Sequence, residues 1–140
     1  VLASAAALAA TSGMAAFQQG VTSARRRRVT VGGRQVRTVD VHAHTAVPSA
    51  LVDIVRGTAL ESVVRSQLTG NLVMNDARLR AMDEQGIDVE VLTINPYWYG
   101  ADRELAARLI PAQNAGLAAV AAAHPDRFVA LATVSLQHPD

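Results

Sequence analysis

The 140-residue chain contains no cysteine. That excludes disulfide staples, cysteine-ligated zinc and a thiol nucleophile, and leaves any metal to be held by histidine and carboxylate. Aromatic residues are few, five in all. Long, strongly apolar runs are missing as well: residues 1–20 carry no charge, but their apolar stretches are short and alanine-rich, whereas a bilayer span needs about 20 strongly apolar residues. Nor is there an excess of either charge, with 13 basic residues against 12 acidic ones. Four of the basic residues are the contiguous Arg25 to Arg28. Without them the body is mildly acidic, which argues against a nucleic-acid footprint, and the run itself, lacking interleaved aromatics, reads as a solvated linker.

What is present suffices for one packed domain, since half of the residues are hydrophobic. Residues 1–20 read as the apolar part of an export signal, with small residues at Ala15 and Ala16 for cleavage and the low hydrophobicity of twin-arginine leaders. A periplasmic location follows from that reading. The alternative is an alanine-rich helix packed on a cytoplasmic domain. The expected organisation is a leader and basic linker over 1–28 and a folded unit over 29–140, with both ends resembling cuts in a longer chain.

The remainder is organised around Val39-Asp40-Val41-His42-Ala43-His44. Residues two apart on a strand share a face, so Asp40, His42 and His44 are expected on one side and Val39, Val41 and Ala43 on the other. Two histidines two residues apart lie about 6.6 Å apart at Cα, close enough for both rings to lean onto one ion at about 2.0–2.1 Å. They form a candidate metal pair, with Asp40 a candidate for orienting a ring from behind.

Before this strand, Gly32-Gly33 predicts a hairpin joining Val29–Val31 to Gln35–Thr38. After it, Ser49 is the expected N-cap of a short helix ended by Gly57, and Leu60, Val63, Val64 and Leu68 mark a second helix broken at Gly70-Asn71. Arg65 on that helix is a candidate anion contact. Asp76 is expected to cap a third helix ended by a left-handed Gly86, followed by a buried strand over 87–94. The loop Tyr97-Trp98-Tyr99-Gly100 holds three of the five aromatics. Asp102 should cap a long helix that Pro111 kinks or breaks near Ile110. A third strand is expected over 128–134. Strand, helical segment, strand, helix, strand makes two βαβ units and a parallel sheet, whose C-terminal rim carries His42 and His44, the aromatic loop, and Ser135 with Gln137.

Three blocks in this order, Asp40-Val41-His42-Ala43-His44, Met82-Asp83-Glu84-Gln85-Gly86-Ile87-Asp88-Val89, and Pro125-Asp126-Arg127-Phe128 with Ala132-Thr133-Val134-Ser135-Leu136-Gln137, resemble the amidohydrolase superfamily. Within it the likeness is to the branch of aminocarboxymuconate-semialdehyde decarboxylase, and it covers about residues 36 to 140. Ser135 stands where that branch commonly has proline. The resemblance implies an α/β fold, the N-terminal part of a (β/α)8 TIM-type barrel with about three of eight strands. It also implies a divalent metal, zinc or else manganese, at His42 and His44, with further ligands and the acid/base residue beyond Asp140. The implied activity is decarboxylation of an unsaturated or aromatic carboxylic acid, with Tyr97, Trp98 and Tyr99 able to stack on it. A metal-dependent lactone or amide hydrolase and a non-catalytic binding module are the alternatives. The expected partner is a small carboxylic acid, with no nucleic acid and no stable membrane anchor; a homodimer is compatible. The 140 residues alone are expected to be inactive.

Overall fold

A computed structural model describes residues 26–139; the expected leader, Arg25 included, lies outside the described residues. The chain enters through a two-stranded antiparallel ribbon, β1 (Thr30–Val31) and β2 (Arg34–Gln35). Gly32 and Gly33 both take positive φ, 56° and 76°, the conformation that a two-residue hairpin of this type requires. Among the described residues, contacts with the body already include Arg26, within the stretch that composition assigns to the linker. Its guanidinium bonds Asp83 and Asp88 at 3.2 Å each, and the Arg27 N–H donates to the Asp83 carbonyl. A run of like charge docks here because carboxylates meet it.

The main sheet is parallel, with β3 (Val39–His44) beside β4 (Val89–Thr93) and β4 beside β5 (Phe128–Ala130). Between β3 and β4 run α1 (Pro48–Val55), α2 (Glu61–Gln67), a 3₁₀ turn at Gly70–Leu72 and α3 (Asp76–Gln85); α4 (Arg103–Ala123) connects β4 to β5. α1 starts directly at Pro48 with Val47 as N-cap, because proline suits the first helical position; Ser49 is therefore inside the first turn. α3 is capped one residue earlier than expected, by Asn75, whose side chain accepts from the Arg78 N–H. Asp102 caps α4 and Gly86 closes α3 in the left-handed conformation at φ 79°, both as expected. Pro111 lies inside α4 without ending it.

β5 stops at Ala130 rather than 134. Beyond it, the Asn114 side chain takes over both backbone groups of Thr133, accepting from its N–H at 2.8 Å and donating to its carbonyl at 2.9 Å. Two apolar clusters carry the packing. One joins Leu51, Val55, Leu60, Val64, Leu105 and Leu109 between the helices, and the other joins Ala43, Met82, Leu92, Ile94, Leu117 and Phe128 between sheet and helices. Val129 and Leu131 are about half exposed and Val41 more so. Among the described residues no helix is long and apolar enough to cross a membrane.

Candidate functional site

β3 is not a regular strand. Asp40 pairs with Glu90 and Ala43 with Leu92, so three steps along β3 match two along β4. One extra residue is accommodated as a bulge, and every side chain beyond it changes face. Strict alternation, expected from the sequence, therefore does not hold. Asp40 sits across from Glu90, whereas His44 sits across from Thr93. The Asp40 carboxylate accepts from the backbone N–H of His42 at 3.0 Å. The contact that Asp40 makes here is thus to the backbone at the bulge rather than to an imidazole ring.

The bulge nevertheless brings the two imidazoles together. His42 Nε2 and His44 Nε2 are 2.9 Å apart, with ring centroids at 4.7 Å and planes inclined by 57°. Two metal–nitrogen bonds of about 2.05 Å meeting near a right angle subtend that distance, so the pair fits a shared cation. His42 is exposed and His44 half-buried. They border a cleft of about 250 Å³ that is also lined by Asp40, Arg78, Gln85 and Glu90. Among the described residues no third histidine, aspartate or glutamate joins the pair.

Beneath the pair lies a buried ion pair. Arg78 Nε donates to Glu90 Oε2 at 2.7 Å, with both side chains less than a tenth exposed, and Arg78 Nη1 donates to the carbonyl of His44 at 2.9 Å. α3 thus grips the end of the strand that carries the histidines.

The other sequence candidates lie elsewhere, and none of them lines this cleft. Tyr97 is buried in the helical cluster with its hydroxyl accepting from Gln113 Nε2, and burial pushes its phenol above the ordinary value. Among the described residues the ring packs within the helical cluster rather than lining the histidine cleft. Trp98 touches both clusters, and Tyr99, 60% exposed, stacks on it with centroids 5.4 Å apart. Arg65 is exposed and pairs with Glu61 one helical turn away at 2.8 Å. Glu61 in turn is held below its ordinary value, first by the Gly57 N–H and then by Arg65.

No family model matches the chain. Among curated proteins it is similar to the gamma-resorcylate decarboxylase of Rhizobium radiobacter, 34% identical over 107 residues, covering 73% of this chain and 32% of that protein. The chain therefore spans about a third of the length of the curated relatives it matches. Among solved structures it is similar to a 2,6-dihydroxybenzoate decarboxylase complexed with 2,6-dihydroxybenzoate, at TM-score 0.55 and 32% identity, covering 74% of this chain and 32% of the other. The dihydroxybenzoic acid decarboxylase of Polaromonas sp. JS666, with bound manganese and the inhibitor 2-nitroresorcinol, matches at TM-score 0.51 and 27% identity over 70% of this chain and 30% of the other. These relatives are decarboxylases of the amidohydrolase superfamily, and the chain is similar to them over about 73% of its length.

Arg78, Glu90 and Thr93 are the residues around the histidine pair that sequence reasoning passed over. A charged residue at position 90, inside an otherwise apolar strand, was the available signal for the first two, since a buried carboxylate demands a cationic partner. Thr93 gave no signal, because its value depends on the register of two strands.

Proposed function

We propose that this chain supplies one part of a metal-dependent decarboxylase acting on an aromatic carboxylic acid. His42 and His44 hold the divalent cation together with ligands from outside the described residues. The observation that carries this reading is the convergence of the two Nε2 atoms at 2.9 Å, on a chain whose relatives are decarboxylases, one of them solved with manganese. Manganese is the divalent cation favoured here, because a similar decarboxylase was solved with manganese bound. When bound, the cation supplies positive charge to substrate oxygens. The chain's own residues hold the imidazoles: the Asp40 carboxylate braces the bulge and Arg78 braces the end of the strand. The half-exposed apolar residues Val129 and Leu131 fit a sheet continued into a barrel by further strands. Trp98 and Tyr99 are candidates to stack on the substrate ring.

The test is manganese binding followed by electron paramagnetic resonance, with release of CO2 from 2,6-dihydroxybenzoate measured on the longest natural protein carrying this chain. Replacement of His42 or His44 by alanine should weaken binding by more than the 10–100-fold typical of losing a partner behind a ligand. Unchanged manganese affinity in both variants would remove the histidines from the metal site.

A further inference from the structure

Of the two histidines, His44 is the one held from two sides. Its carbonyl accepts from Arg78, and its ring Nδ1 lies 3.4 Å from Thr93 Oγ1. The latter contact follows from register, because His44 and Thr93 are paired across the parallel strands and share a face beyond the bulge. Asp40, the residue that sequence spacing nominates for holding a ring, is bonded instead to the His42 N–H. Glu90, the nearest alternative carboxylate, is engaged by Arg78.

A neutral imidazole carries one N–H, and a hydroxyl can accept it. Across the 2.9 Å between the two Nε2 atoms, only one of them can hold a proton. We propose that Thr93 is the positioning residue for His44: its hydroxyl accepts from Nδ1–H and fixes the ring, so that Nε2 faces His42 as a bare lone pair ready for a cation. Threonine suits the task, since its branched side chain has few χ1 choices and the hydroxyl is presented in a defined direction. His42 Nε2 then carries the shared proton in the metal-free chain. The lone pair of His44 is thus pre-formed, and the tautomer is set by a neighbouring strand rather than by the histidine's own strand. The inference rests on the metal reading above for its purpose, but the tautomer it assigns exists without metal.

Long-range ¹H–¹⁵N correlation of the imidazoles in the metal-free protein, at a pH where ordinary imidazoles are neutral, reads the tautomer directly. The expected result is an Nδ1-protonated His44 in the parent and in Thr93→Ser, and loss of that preference in Thr93→Val. Manganese affinity should follow, falling about 10–100-fold in Thr93→Val with recovery in Thr93→Ser. An Nε2-protonated His44 in the parent, or a Thr93→Val variant with unchanged tautomer, overturns the proposal. If the parent shows the expected tautomer but no manganese binding, the assignment to Thr93 stands and the metal reading falls.

Discussion

Replacing Arg78 by methionine keeps most of the packing stem and deletes the guanidinium. Glu90 is then left less than a tenth exposed with its recorded cation gone, and breaking a buried pair from one side costs about 3–5 kcal/mol. The carbonyl of His44 loses a charged donor in the same change, which adds about 1.5–3 kcal/mol. Set against a total stability of about 5–15 kcal/mol, Arg78→Met should leave the chain marginal. At a urea dependence of about 2 kcal/mol/M, a loss of 4 kcal/mol lowers the midpoint by about 2 M. Glu90→Leu should also be damaging, because it removes the carboxylate that balances the buried guanidinium's charge. The double variant Arg78→Met/Glu90→Leu removes both charges from a low-dielectric site, and apolar replacement of a whole buried pair is often neutral or better. It should therefore be more stable than either single variant, in urea unfolding followed by circular dichroism. A double variant whose loss equals the sum of the two single losses would refute the argument, since the charges would then be acting independently.

Gly116 in α4 lies where a Cβ would come within 2.6 Å of Val47 Cγ1. Gly116→Ala gains about 0.5–1 kcal/mol of helix propensity but should lose about 1–3 kcal/mol to overpacking; adding Val47→Ala should restore the thermal midpoint, and a single variant more stable than the parent would contradict the close approach. Tyr97 gives an alkaline signature. Its phenol is raised by burial, so its contribution is complete below the unfolded tyrosine value of about 10 and is lost as the pH climbs from there toward the higher folded value. The difference in stability between parent and Tyr97→Phe should accordingly shrink above pH about 10, and a difference that is flat with pH would show that the phenol is not desolvated.

The elements whose causes are local were legible in the sequence. Gly32-Gly33 marks a turn with two positive φ values, Gly86 a left-handed helix end, and Asp102 a cap whose carboxylate meets the Leu105 N–H. The alternation of strands and helices gave the parallel order of the sheet, and the paired histidines pointed to the rim. Errors arose where two local choices compete. Asn75 and Asp76 are both good caps, and the chain uses the one that lets the side chain reach the Arg78 N–H. A strand extending to residue 134 read well from composition, yet backbone groups need partners, and at Thr133 the partner is the Asn114 amide rather than a strand.

The least legible feature is the one on which the site depends. Asp-x-His-x-His alternates without a flaw, so period-two reasoning places Asp40 behind the rings. An inserted residue is a property of the pair of strands, visible only when Asp40 meets Glu90 and Ala43 meets Leu92. At the bulge, backbone leaves the ladder and needs a substitute acceptor, and an aspartate bonding the N–H two residues on is a known local solution. Asp40 provides it to His42. The carboxylate that appeared to serve imidazole chemistry thus stabilises the irregularity that turns His44 toward Thr93. Spacing identified the right residues, while register decides which of them touches the ring.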